Sequence, residues 1–327
     1  MRLRAEAIRI GWTLLPSILL LLLLTGCGGE QAMPLRVGTN AWAGYEPFYL
    51  ARDLDYYAAT SVRFKEFGSA TEVLRSFRNG AIDAAALTLD EVLLLLEDGF
   101  DLQIVLVCDA SAGADAIIAW PPIHSVADLA GKRVGLENKA LGAYVLSRAL
   151  ELKGLDPGAL TVVPAEPLEH EGLLRKGRVE AVVTYEPVRS RLLAAGASEI
   201  FSSSEIPNEV IDVLVVRGEV LRKAPGLVRE LLAGWFKAVA FIETHPEESS
   251  RRMASRLKLA PAEVLASLQG IYFPPLPQNL LILGGKEVLV EAAGERLAKV
   301  MVAHRLLRNP VSLQDRIATA PMEGLRP

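Results

Sequence analysis

From Pro34 onward one pattern recurs: a short apolar run, a polar turn, then a longer stretch whose apolar residues fall three and four apart. The run has the character of a buried strand, and the stretch that of a helix packed by one face. Strands that alternate with helices are joined by crossovers, which set the strands parallel and put helices on both faces of the sheet. The expected class is therefore α/β.

The first series has strands at 35–39, 62–67, 82–86 and 102–108, and helices at 47–57, 71–77 and 90–97. The last two helices stop at Asn79-Gly80 and Asp98-Gly99, pairs suited to a left-handed cap. A strand at 115–120 runs into Pro121-Pro122, which cannot continue a ladder, so the chain turns there. A second series follows, with strands at 132–136, 160–163, 180–184 and 199–202 and helices at 141–153, 168–176 and 187–195. After an apolar strand at 210–216 the chain is almost all helix, at 225–243, 246–257, 261–268 and within 280–307. Periodicity alone leaves two arrangements open. The second series is either a lobe inserted into the first, or the two series follow one another as separate domains.

The start of the chain differs in kind. Arg2, Arg4 and Arg9 precede an apolar run at 14–24 that stops at Leu24-Thr25-Gly26-Cys27. A basic segment, a short apolar core and a small-residue stop describe a secretory signal. The run is short for a bilayer, which needs about 20 such residues. Leu-Thr-Gly-Cys resembles a bacterial lipobox. That resemblance implies a signal peptide at 1–26, lipid on Cys27 that anchors the protein to a membrane, and a tether at 27–33.

Apolar residues make up 51% of the chain, enough for a large core, and the net charge of −4 carries no basic patch for nucleic acid. Apart from Cys27 the one cysteine is Cys108, inside an apolar run, where a buried thiol is expected. His124, His170, His245 and His304 are too scattered for metal-ligand spacing, so no metal and no cofactor are expected. No Gly-x-Ser-x-Gly and no phosphate-binding Gly-rich loop is present, which argues against an enzyme.

The run Val37-Gly38-Thr39-Asn40-Ala41-Trp42-Ala43-Gly44-Tyr45-Glu46-Pro47-Phe48 resembles the opening of the nitrate/sulfonate/taurine-type solute-binding proteins, a group that includes binders of thiamine precursors. Gly68-Ser69-Ala70-Thr71-Glu72, Asn79-Gly80-Ala81-Ile82-Asp83, Asp128-Leu129-Ala130-Gly131-Lys132 and Thr184-Tyr185-Glu186-Pro187 resemble later stations of the same family, in the same order. The resemblance covers about 34–245. It implies a type II periplasmic-binding-protein fold: lobe I from 34–116 plus 214–327, an inserted lobe II at 121–209, and hinge crossings at 117–120 and 210–213. It also implies a monomer that captures a small solute between its lobes and passes it to the permease of an ABC importer. A membrane sensor as partner, or an enzyme like the thiamine-pyrimidine synthases, are the alternatives. That enzyme's cysteine-rich motif has no counterpart here.

Ligands in such sheets sit beyond the carboxyl ends of the strands. The loops there supply Asn40, Trp42, Tyr45 and Glu46, then Ser69 and Thr71, then Thr88 and Asp90. In the second series they supply Asn138, Leu141 and Gly142, then Tyr185 and Glu186. Ser69, Thr71 and Thr88 also suit helix N-caps, a role compatible with anion binding. Asp212 lies between Ile211 and Val213 in an apolar strand, where a carboxylate needs solvent or a partner. These loops are acidic, and their one cation, Lys139, is expected to face solvent. A solute bearing an ammonium group, alone or in a zwitterion, is therefore expected, with cation–π help from Trp42, Tyr45 and Tyr185.

Overall fold

The computed structural model describes residues 33–137, 141–285 and 288–326. Cys27, the signal and most of the tether lie outside the described residues. No helix among the described residues is long and apolar enough to cross a membrane.

The alternation resolves into two sheets. The first lobe begins with β1 (Leu35–Asn40), α1 (Glu46–Asp53), β2 (Val62–Phe67), α2 (Ala70–Arg78), β3 (Ala84–Thr88), α3 (Leu89–Glu97) and β4 (Leu102–Ser111). The second lobe holds β5 (Asp115–Ala119), β6 (Arg133–Leu136), α4 (Leu141–Lys153), β7 (Thr161–Pro164), α5 (Pro167–Arg175), β8 (Ala181–Tyr185), α6 (Val188–Ala194) and β9 (Ser198–Ser202). The chain then returns through β10 (Ile211–Arg217), α7 (Gly218–Lys223), α8 (Pro225–Thr244), α9 (Pro246–Leu257), α10 (Pro261–Leu268), β11 (Ile271–Tyr272), α11 (Leu276–Gly284) and α12 (Leu289–Ala303).

The first sheet runs β11-β4-β10-β3-β1-β2 and the second β7-β6-β8-β5-β9. β1 pairs in parallel with β2 and β3, and β6 with β7 and β8. In each sheet the strand next to this parallel trio is antiparallel to it, and that strand has just arrived from the other lobe: β10 in the first, β5 in the second. The central strands are continuous apolar runs because helices cover both faces. Val213, Leu214, Val215 and Val216 of β10 are all fully buried. The amphipathic α8 closes the first lobe with Leu231, Leu232 and Trp235, whose ring lies 4.3 Å from that of Phe48 on α1. Truncating Trp235 to alanine would cost about 3–5 kcal/mol.

The crossings differ from expectation. All of 115–119 pairs within the second sheet, between β8 and β9, and β10 pairs with β4 from Ile211 onward. The chain therefore passes between sheets at 112–114 and 203–210, rather than at 117–120 and 210–213. The reason is that the apolar runs on either side satisfy their backbone groups in the two ladders, so only the short Ala112-Gly113-Ala114 link and the mostly polar 203–210 link remain outside both sheets. The two links are tied together: Ser203 Oγ lies 2.8 Å from Ser111 Oγ and accepts from Gly113 N–H at 2.7 Å.

Candidate functional site

The carboxyl ends of the parallel strands of both sheets face one cleft. It is lined by Asn40, Trp42, Tyr45, Ala70, Thr88, Glu91 and Asp212 from the first lobe. Asp115, Glu137, Leu141, Gly142, Val145, His170, Val183, Thr184 and Tyr185 line it from the second. The space left free among these side chains is small, about 30 Å3.

Each wall follows from its local sequence. Trp42 precedes and Tyr45 ends a single 3-10 turn, Ala43–Tyr45, that reaches from β1 to α1 and is buried throughout. The Trp42 indole N–H donates to Asp109 at 3.2 Å, and the Tyr45 hydroxyl donates to Asp212. Gly44 is required there, since a Cβ would overlap Trp42 Nε1 and the Asp109 carboxyl. Tyr185 enters from the other lobe. Its ring meets Trp42 edge-on at 5.7 Å, and its hydroxyl accepts from Asn40 Nδ2 at 3.0 Å. The lobes meet again where Glu137, just past β6, accepts from both the N–H and the hydroxyl of Thr71 at 2.6 Å.

Four carboxyl side chains line the cleft, Glu91, Asp115, Glu137 and Asp212, and no lysine or arginine does so among the described residues. Asp90 and Asp109 stand close behind them, both buried. Asp109 and Asp212 face each other directly across the β4–β10 ladder, an arrangement that like charges disfavour. Burial, and then the charge of its neighbours, pushes these groups toward the protonated form. Asp115 is pushed up to about 7 by burial, opposed by its hydrogen bond with Ser111 and reinforced by Asp90 and Glu186. Asp212 is raised by burial despite the Tyr45 hydrogen bond, with Asp115 and Asp90 adding to it. Asp109 and Glu91 rise well above the carboxylate range, through burial and then through Asp212 and Asp90 respectively. His170 brings no countercharge, because burial lowers it to about 4 and leaves it neutral. Asp115 Oδ2 and Thr184 Oγ1 are buried with no hydrogen-bond partner in the protein.

Of the residues singled out from sequence, Asn40, Trp42, Tyr45, Thr88, Leu141, Gly142, Tyr185 and Asp212 come together at this cleft. Ser69 caps α2 by accepting from Glu72 N–H at 3.3 Å, and Thr71 is engaged with Glu137, so neither lines the space itself. Asp90 is buried behind the lining. Asn138 lies outside the described residues. Glu46 and Glu186 turn away from the cleft. Glu46 accepts from Arg256 Nε at 2.9 Å, and Glu186 accepts from Arg189 at 3.0 Å and from the Ser190 hydroxyl at 2.9 Å. Each is a buried carboxylate at a helix start, Glu46 in the first turn of α1 and Glu186 just before the N-cap of α6, and an arginine satisfies each. Sequence reasoning did not single out Glu91, Asp109, Asp115, Glu137, His170 or Thr184. A polar residue abutting a fully apolar strand was the available sign for Asp109, Asp115 and Glu137.

A family model for the NMT1-like family matches residues 28–258. The chain belongs to the NMT1-like family. The match agrees with the resemblance to nitrate/sulfonate/taurine-type proteins carried by the Asn40–Phe48 region. This NMT1-like chain is 24% identical over 265 residues to an Escherichia coli (strain K12) protein named for binding aliphatic sulfonates, covering 80% of each chain. The alkanesulfonate-binding protein of Xanthomonas axonopodis pv. citri, solved with MOPS bound, superposes with a TM-score of 0.76 at 21% identity, covering 88% of this chain and 99% of that one. A desulfurization enzyme superposes with a TM-score of 0.65 at 18% identity, covering 89% of this chain and 97% of that one. The fold is thus the two-lobe type II fold of periplasmic binding proteins, and it hosts both binding and catalysis. What this NMT1-like chain does must be argued from its own cleft.

Proposed function

We propose that this protein is an extracytoplasmic solute-binding component of an ABC importer, anchored by lipid on Cys27, whose solute carries an ammonium or similar cation. The observation that carries the reading is the charge of the cleft. Glu91, Asp115, Glu137 and Asp212 converge on one small space beside Trp42, Tyr45 and Tyr185, with no lysine or arginine among the described residues that line it. A plain anion placed there would meet carboxyl groups with no cation beside them to offset any that ionise. A cation would be neutralised by the carboxylates and would lie against aromatic faces. A zwitterion fits if its acidic end points to the cleft mouth, where Arg191, Arg256 and Lys258 line a second opening that shares Tyr185.

The mechanism is capture by closure. The solute meets one lobe, recruits the other through the 112–114 and 203–210 links, and raises the closed population that a permease recognises. Cys108, the described cysteine, is fully buried and its thiol is raised well above its usual range by burial and by Asp109 and Asp212, so it supplies no thiolate nucleophile.

Calorimetric titration of the mature protein with primary amines, taurine, nitrate and alkanesulfonates tests the reading. Binding of an amine-bearing solute with no response to plain anions is expected. Tight binding of ethanesulfonate or nitrate, with none of any amine, would overturn it.

A further inference from the structure

The N-terminus of α2 is the place in the first lobe best equipped to hold an anion. Its free N–H groups open toward the other lobe, Ser69 caps it, and the Thr71 hydroxyl adds a donor. A carboxylate of the protein itself already sits there. Glu137 reaches across from the end of β6, and its Oε1 takes both Thr71 donors at 2.6 Å. It is buried and lines the cleft. Burial raises its pKa, and the Thr71 hydrogen bonds oppose that rise, as they do for a carboxylate held in its charged form. The position is fixed from behind: Gly142, at the start of α4, lies so close to Glu137 and Leu136 that a Cβ would sit 3.3 Å from the Glu137 carbonyl oxygen.

We propose that Glu137 is the specificity-determining residue of the cleft. Its side chain occupies the anion position on α2, shuts out sulfonate-like groups, and turns the same lobe closure toward cations. The inference rests on the cation reading above and deepens it. Three observations meet in it. Glu137 is the carboxyl that bridges the lobes at the cleft. It shares the cleft lining with Glu91 and Tyr185, and its charge raises both of them and Asp90 behind them. The donors it consumes are those an anionic solute would need. Asp115 Oδ2 and Thr184 Oγ1, both buried and unpartnered, remain for the solute on the opposite wall.

The test is calorimetry with ethanesulfonate on the full mature protein, wild type against Glu137→Ala and Glu137→Ser, with Glu137→Gln as the variant that keeps the bulk without the charge. The wild type and Glu137→Gln are expected to show no ethanesulfonate binding. The alanine and serine variants are expected to gain it, and to lose affinity for amine-bearing solutes by about tenfold, as removal of one charged contact implies. A merely structural Glu137 would not yield a gained anion. Folding of each variant is checked by circular dichroism, and the serine variant carries the same expectation if the alanine variant does not fold. If neither small variant gains ethanesulfonate while the wild type still refuses it, the role of Glu137 is refuted and the cation reading stands. If the wild type itself binds ethanesulfonate, both fall.

Discussion

Two sets of buried carboxylates share this molecule and behave differently. Glu46 and Glu186, buried but outside the cleft lining, are each met by an arginine, Arg256 and Arg189. Glu91, Asp109, Asp115 and Asp212, at the floor of the cleft, have no ion-pair partner among the described residues. All are almost wholly buried. Burial of a charge is therefore no mark of a binding site by itself. The mark is burial without a partner, because that arrangement is costly until something from outside completes it. The rim carboxylates are completed from within the protein, and under the proposed function the floor is completed by the solute.

The comparison breaks most visibly at the rim. Arg256→Ala leaves Glu46 buried and alone. It also removes the guanidinium stacked 3.3 Å over the Tyr49 ring. A loss of about 3–5 kcal/mol is expected in urea unfolding, with affinity for a simple amine, which carries no acidic end for Arg256 to meet, unchanged because Glu46 does not line the cleft.

Asp115→Asn should do the reverse. Solute affinity should fall by about tenfold or more, while the solute-free protein at pH 8 becomes more stable by about 1 kcal/mol, since a buried charge is no longer required.

The pH profile sharpens this. Asp115 has a folded-state pKa of about 7, above its unfolded value, so the folded state binds the extra proton and stability falls as pH rises. His170, lowered to about 4, works in the opposite sense, but only below its unfolded value near 6.5. Between pH 6.5 and 8 the carboxyl effect therefore stands alone. The solute-free protein should lose stability across that window, on the order of 1 kcal/mol from Asp115, and Asp115→Asn should flatten the slope. A thermal melt that rises over the same window would contradict the unpaired floor.

The smallest expected effect is at Glu186. Glu186→Gln keeps the hydrogen bonds from Ser190 and loses only the Arg189 pair, so solute affinity should stay within about twofold. A larger loss would return Glu186 to the cleft.

Much of this arrangement was legible in the chain. The alternation of short apolar runs and amphipathic stretches gave the α/β class, and the loops after the strands gave Asn40, Trp42, Tyr45, Thr88 and Tyr185. Asp212 stood out because it interrupts an apolar strand. Asp109 and Asp115 obey the same logic but sit at the ends of their runs, where an aspartate reads as a turn residue. Glu137 was hidden for the same reason. Glu46 and Glu186 looked equivalent to the floor groups because a carboxylate beside a helix start has the same local sequence in either setting. Arg256, which decides the matter for Glu46, lies 210 residues away, and no local pattern reports such a contact. Arg189, three residues after Glu186, was within helical reach and was the one partner that sequence spacing offered. The crossings were misplaced for a related reason: an apolar run shows that a strand exists but not which sheet it joins.

The charge of the floor can be read with any solute that binds. Calorimetry of one binding reaction at pH 7, repeated in buffers of different ionisation enthalpy, counts the protons exchanged. Entry of a cation among carboxyls raised by burial must drive protons off, so the account predicts net proton release, with affinity tightening as pH rises from 6 to 8. Net proton uptake on binding would mean that the guest is an anion and that the floor is not what selects it.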